Sequence, residues 1–216
     1  MRKSEKLEAL RRLKEHYASP TTALNYETPF QLLIATILSA QCTDKRVNII
    51  TKTLFVRCPT PEAIAACSEA DVAELIRTAG LWQAKARNIK AACALLLEKH
   101  GGRVPQTRSE LMELPGVGRK TANVVLSNAF GIPAIAVDTH VQRTANRLGL
   151  AASENPNQVE QQLMKLIPEQ DWSDAHHWLI YHGRQVCKAR KPLCHECFLL
   201  DLCPSAKEYI GSVTAT

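Results

Sequence analysis

The sequence predicts an all-α protein, and three observations support that prediction. Helix-start signals recur along the chain, each a polar N-cap followed by proline or by an acid or amide three residues on. Gly80, Gly101, Gly131 and Gly149 fall where the helices so begun should end, in the place of C-terminal caps. No run shows the clean two-residue alternation of a half-buried strand.

The elements follow in order. Thr28-Pro29-Phe30-Gln31 supplies an N-cap, a proline at the first helical position and a capping-box glutamine. The stretch it opens, FQLLIATILSA (30–40), is apolar nearly all round, so that helix should be buried. Further starts lie at Thr60-Pro61, at Ser68 with Asp71 and at Thr107 with Glu110. A helix from Arg119 to Phe130 turns Ala122, Val125, Leu126 and Ala129 inward, and one after Asp138 aligns Val141, Ala145 and Leu148. Val159, Leu163, Leu166 and Ile167 share a face further on, as do Trp178, Leu179, His182 and Val186. About ten short helices result. There is no internal repeat, low-complexity tract or long linker.

Composition narrows the function. The chain has 216 residues, ample for a sizeable core, with 45% hydrophobic and 22% charged residues, a globular balance. A net charge of +6 favours a polyanionic partner. MRKSEKLEALRRLKEHY is charged throughout, so no signal peptide is expected, and the apolar run at 30–40 is too short to span a bilayer. A cytoplasmic protein is expected. Its eight cysteines then read as ligands or buried thiols rather than a disulfide framework.

The stretch LPGVGRKTAN (114–123) concentrates the chemistry. Pro115-Gly116-Val117-Gly118 is a connector too tight for ordinary side chains, with glycines where φ is positive. Such a hairpin turns consecutive backbone N–H groups outward beside a helix N-terminus, a cradle for phosphate that Arg119 would reinforce. Lys120 is odder, because a helix N-terminus disfavours cations by ~0.3–1 kcal/mol. A lysine with the usual pKa is neutral only about once in 2,500 molecules at neutral pH. The helix terminus, Arg119 and partial burial should each push that pKa down and make an amine nucleophile.

LPGVGRKTANVV, with its lysine, resembles the helix-hairpin-helix of the endonuclease III group of DNA repair glycosylases. LLIATILSAQCTD (32–44), GLWQAKARNI (80–89), AIAVDTHVQR (134–143) and the C-terminal cysteines extend the resemblance over nearly the whole chain. It implies a two-lobed fold, with residues 22–132 as a helical domain containing the hairpin. Residues 1–21 and 133–216 would form a discontinuous iron–sulfur domain, and DNA would lie across the cleft between Lys120 and Asp138. The implied function is base excision repair by a bifunctional DNA glycosylase and abasic-site lyase. Its partner would be double-stranded DNA containing damaged bases, oxidised pyrimidines above all, or abasic sites, bound by a monomer at the nucleoid.

Residue roles follow from the same resemblance. Lys120 attacks C1′ and forms a Schiff base, after which β-elimination breaks the strand 3′ to the lesion. Asp138 reads first as an N-cap, worth ~1 kcal/mol; the resemblance adds that it faces the lysine. A carboxylate ~4 Å from a developing positive charge contributes ~4 kcal/mol at an effective dielectric near 20. His140 is either structural or part of the site. Extruding a nucleotide costs a few kcal/mol. Gln41 would fill the vacated space, and Leu81 would wedge the opposite strand.

Cys187, Cys194, Cys197 and Cys203 have the spacing C-x6-C-x2-C-x5-C, which demands a metal. Four thiolates suit zinc or an iron–sulfur cluster alike; the resemblance implies [4Fe–4S]. The cluster would hold the loop bearing Lys188, Arg190, Lys191 and His195 against DNA. Cys42, Cys58, Cys67 and Cys93 read as buried thiols within apolar helices. Three rivals stand beside this reading. The adenine-mismatch branch of the superfamily lacks such a lysine. A pyrimidine-dimer glycosylase has the same architecture. The third is a non-catalytic helix-hairpin-helix module, which needs no lysine–aspartate pair.

Overall fold

A computed structural model of the chain describes residues 1–18 and 20–210. Among them every regular element is helical. In order these are α1 (Lys3–His16), α2 (Pro29–Leu38), α3 (Asp44–Arg57), α4 (Pro61–Ala66), α5 (Glu69–Leu75) and α6 (Trp82–His100). Then come α7 (Arg108–Glu113), α8 (Arg119–Phe130), α9 (Thr139–Arg147), α10 (Pro156–Leu166), α11 (Trp172–Gln185) and α12 (Ala206–Ile210). Short 3-10 turns occupy Glu169–Asp171 and Cys194–Glu196. The chain divides into two compact units, Thr22–Ile132 and Met1–Thr21 with Pro133–Thr216.

In the unit Thr22–Ile132 the start signals work as local chemistry requires. Thr28, Thr60, Ser68 and Thr107 each accept a hydrogen bond from the N–H three residues on. Only at Ser68 is the box reciprocal, Asp71 Oδ2 accepting from Ser68 N at 3.1 Å. The capping box expected at Thr28 is corrected: Gln31 Oε1 reaches one residue further and accepts from Glu27 N at 2.7 Å. α2 is buried from Phe30 to Leu38 except at Gln31, and it packs against α8, α3 and α6. α8 departs from its expected single stripe. It is enclosed from Ala122 to Ser127, Asn123 and Val124 included, because α2 and α7 both pack on it, while Ala129 is only half-buried.

Gly101, Gly131 and Gly149 end helices with φ of 57°, 64° and 66°, the left-handed turn that caps α6, α8 and α9. Gly80 is a correction. α5 already ends at Leu75, with Ile76 as its C-cap, and Gly80 has no positive φ; it serves a close approach described below.

In the other unit α9 and α11 pack together, with α1 against α11. Leu13, Val141, Ala145, Leu163, Trp178, Leu179 and Leu199 share one core, so Leu199 anchors the cysteine-bearing loop. Arg12 ties α1 to that loop, donating to Asp201 Oδ1 at 2.8 Å and Phe198 O at 3.1 Å.

His177 on α11 is buried, and burial pushes its imidazole down to about 4, Arg184 adding to the effect. The folded state holds it neutral, while the unfolded chain protonates it near 6.5. Its contribution to stability is therefore complete above that value and is lost as pH falls from about 6.5 towards 4. By pH ~5 this residue alone should cost about 2 kcal/mol. The unfolding free energy of His177→Gln should accordingly fall less than that of the parent between about pH 7 and 5. Equal losses in urea titrations would show that His177 is not the source.

Candidate functional site

α7 and α8 form a hairpin around Pro115–Gly118, and Arg108 Nε donates to the buried Asn123 Oδ1 at 2.7 Å, fixing one helix on the other. Gly116 has φ 82°, and a Cβ there would lie 3.0 Å from Asn88 Cβ, so glycine is needed on both counts. Gly118 corrects the expectation of a second positive φ. Its φ is −93° and its ψ 177°, and a Cβ would meet nothing within 4 Å. The chain itself has no reason to exclude a side chain there.

The outward N–H groups are not consecutive as expected. Val117 N donates to Leu114 O at 3.0 Å, and the Val117 side chain is buried, so this residue anchors the turn rather than lining its surface. The N–H groups of Gly116, Gly118 and Lys120 find no backbone partner among the described residues. They stand at the positive end of α8, with Arg119 as its first residue.

Lys120 is the second residue of α8. Its side chain is exposed, contrary to the partial burial expected, because the glycines before it have nothing to cover it with. Its ammonium makes no hydrogen bond or ion pair with any described residue.

Among the described residues three non-glycines have positive φ: Gln41 at 51°, Leu81 at 58° and Lys191 at 147°. All three are candidates nominated from the sequence for contact with DNA. Such conformations cost of order 1–3 kcal/mol each and persist only where surroundings enforce them. Gln41 is exposed, and Leu81 is an apolar side chain left 59% exposed. The structure brings these two together. A Cβ on Gly80 would lie 2.8 Å from Gln41 O, so the segments touch where glycine permits it. Lys85, which sequence reasoning passed over, is buried; its Nζ donates to Leu38 O at 2.8 Å and Ala40 O at 2.6 Å.

Asp138 caps α9, its Oδ1 accepting from His140 N and Val141 N at 2.8 Å each. Its Oδ2 accepts nothing from the described residues and the side chain is half-buried, leaving one oxygen for other work. His140 is half-buried, its Nδ1 lying 3.2 Å from Arg143 Nη2, and burial pushes its imidazole below the usual histidine value. Arg143 and Arg147, also unforeseen, bind α9 to the cysteine loop. Arg143 donates to Gly183 O at 2.8 Å and Cys187 O at 3.1 Å, and Arg147 to Lys188 O at 2.8 Å and Ala189 O at 3.0 Å.

Cys187, Cys194, Cys197 and Cys203 line one small pocket, walled by Leu148 and Leu200. None of the four is paired in a disulfide. Burial raises Cys194 and Cys203 and pushes Cys197 up to about 11, so a metal must displace those protons. Among the described residues no three His, Cys, Asp or Glu side chains converge as ligands of a single ion. Four cysteines lining one shared apolar pocket fit an iron–sulfur cluster. His195 is exposed and does not line the pocket; Lys188, Arg190 and Lys191 are exposed too. The remaining cysteines correct the expectation of thiols buried inside helices. Cys58 and Cys67 end α3 and α4 with their sulfurs 3.2 Å apart, Cys42 lies in a loop, and only Cys58 and Cys93 are fully buried.

Residues 34–169 match the family model of the HhH-GPD superfamily base excision DNA repair protein. Residues 187–203, from the first to the last of the four clustered cysteines, match the iron-sulfur binding domain of endonuclease III. The chain is 53% identical over 207 residues to an endonuclease III of Synechocystis, covering 95% of this chain and 94% of the relative. Against the endonuclease III of Escherichia coli K12 the identity is 51% over 203 residues, with 94% and 96% covered. A solved trapped endonuclease III–DNA covalent intermediate matches with a TM-score of 0.94 at 47% identity, covering 97% of this chain and 99% of that one. A thermostable thymine-DNA glycosylase matches with a TM-score of 0.86 at 25% identity, covering 95% and 98%.

The empty space at Gly118 makes a specific prediction. Gly118→Ala should change stability by no more than about 1 kcal/mol, the scale of an N-cap effect. Its affinity for duplex DNA should nevertheless fall about tenfold, the equivalent of about 1.4 kcal/mol. Unchanged DNA affinity in a salt-controlled titration would show that nothing docks against this turn.

Proposed function

Since the chain belongs to the endonuclease III family of base excision repair enzymes, bifunctional DNA glycosylases and abasic-site lyases, we propose that Lys120 is its nucleophile and Asp138 its carboxylate partner in the reaction. The observation that carries this reading is the state of Lys120. It is an exposed lysine without a partner, placed where the helix backbone already carries positive charge.

The free amine of Lys120 attacks C1′ of an extruded nucleotide, and the bond from C1′ to the base breaks, the base leaving with a proton. Asp138 Oδ2, the oxygen its cap does not use, favours the positive charge that grows on the sugar and accepts the proton the amine loses. Ring opening gives an imine between Nζ and C1′. The imine acidifies C2′; loss of that proton expels the 3′ phosphate, and water then releases the amine. The substrate is duplex DNA bearing a damaged base, here proposed to be an oxidised pyrimidine, or an abasic site. The N–H groups of Gly116 and Gly118, with Arg119, would bind a phosphate of that duplex. Gln41 and Leu81 would occupy the space left by extrusion, and Lys191 would contact the backbone. His140, held by Arg143, orients the first turn of α9.

Cys187, Cys194, Cys197 and Cys203 would hold the family's [4Fe–4S] cluster. When bound it supplies a rigid cross-link of the loop 187–203, since no step above transfers an electron. The place of action is proposed to be the cytoplasm, at the nucleoid. The relatives are bacterial, and among the described residues no helix is long and apolar enough to cross a membrane.

Two substitutions test the chemistry. Borohydride should trap the parent on abasic-site DNA as a covalent adduct and should trap none of Lys120→Ala; an undiminished adduct would remove Lys120 from the mechanism. Asparagine caps a helix about as well as aspartate. Asp138→Asn should therefore keep its melting temperature while turnover falls ~100-fold or more. Full turnover would reduce Asp138 to a cap alone.

A further inference from the structure

We propose that Lys85 is a positioning residue that locks the Gln41 and Leu81 segments into a single rigid wedge, so that the two side chains reach DNA in fixed register. The inference rests on the reading that these two side chains contact the DNA. Lys85 lies in the first turn of α6, the helix whose N-cap is Leu81, and its own N–H donates to Leu81 O at 3.1 Å. A cation in that turn opposes the α6 dipole, so α6 itself does not call for it.

The residue serves α2 instead. α2 has no basic residue in its last turn, and its terminal carbonyls need donors from outside. Lys85 is only 4% exposed, and its ammonium donates to Leu38 O at 2.8 Å and Ala40 O at 2.6 Å. Ala40 immediately precedes Gln41, whose φ is 51°, and Leu38 lies two residues further back. On the other side, Gly80 immediately precedes Leu81, whose φ is 58°, and leaves no room for a Cβ beside Gln41 O. Each left-handed residue is thus clamped by a contact from the other's segment. Without the ammonium, the carbonyls of Leu38 and Ala40 lose their donor, and the turn before Gln41 is free to relax out of its strained conformation.

The test compares two reactions of the cluster-loaded enzyme. Base removal from a duplex containing an oxidised pyrimidine requires extrusion and a wedge, whereas β-elimination at a single-stranded abasic site does not. For Lys85→Met the ratio of duplex to single-strand rates should fall about tenfold or more, and Lys85→Arg should recover most of it. Gly80→Ala, which leaves Lys85 intact but pushes the segments apart, should lower the same ratio and serves as the test should Lys85→Met fail to fold. A purely stabilising lysine would lower both rates with the folded fraction, and an unchanged ratio in Lys85→Met or Gly80→Ala overturns the proposal. The pair Gln41→Ala and Leu81→Ala is the control. If their ratio is unchanged, the reading of these two as DNA-contacting residues fails; if it falls while Lys85→Met keeps the parent ratio, only the present inference fails.

Discussion

An α-helix ends in backbone groups that its own hydrogen-bond ladder cannot satisfy, and Gln41, Leu81, Lys120 and Asp138 each sit at or beside such an end. Each end is handled differently. Asp138 satisfies two N–H groups of α9 with one oxygen and keeps the other in reserve. The start of α8 is left open, because glycine at the cap position offers no side-chain acceptor, and its N–H groups remain for an external anion. The end of α2 is closed by an ammonium borrowed from α6. A helical protein can bind a polyanion without a groove of its own design if it withholds caps where the anion is to lie.

The same logic explains where strain is stored. Gln41 and Leu81 stand in left-handed conformations at the end of one helix and the start of another. Neither is a residue type that favours φ > 0, and the cost is carried by two contacts, a buried lysine and a missing Cβ. The cysteine loop is held in an analogous way. Arg143 and Arg147, one turn apart on α9, donate to carbonyls from Gly183 to Ala189, and Leu199 is buried in the core of that unit. The helix capped by Asp138 and the loop that would hold the cluster are therefore one mechanical piece.

Much of this was legible in the residues because it is local. N-caps at Thr28, Thr60, Ser68 and Thr107 depend on neighbours three positions away, and the burial of α2 depends on its own composition. What failed depended on distant chain. Gly80 reads as a helix stop until the carbonyl of Gln41 comes up against it. Lys85 carries the same signal that singles out Lys120, a cation in a helix's first turn, but its meaning lies in carbonyls 47 and 45 residues earlier. The exposure of Lys120 has a simpler cause: Gly116 and Gly118, which precede it, bring no side chain to cover it. Val117 shows the reverse, a turn residue whose N–H and side chain are both occupied inside the protein.

In the proposed reaction, one exposed amine on the first turn of α8 becomes bonded to deoxyribose. Proteolytic mapping of the reduced enzyme–DNA adduct by mass spectrometry reads that bond directly. The sugar remnant is expected on Nζ of Lys120 in essentially all of the adduct. A remnant on another lysine or on the chain's amino terminus, with Lys120 unmodified, would contradict it.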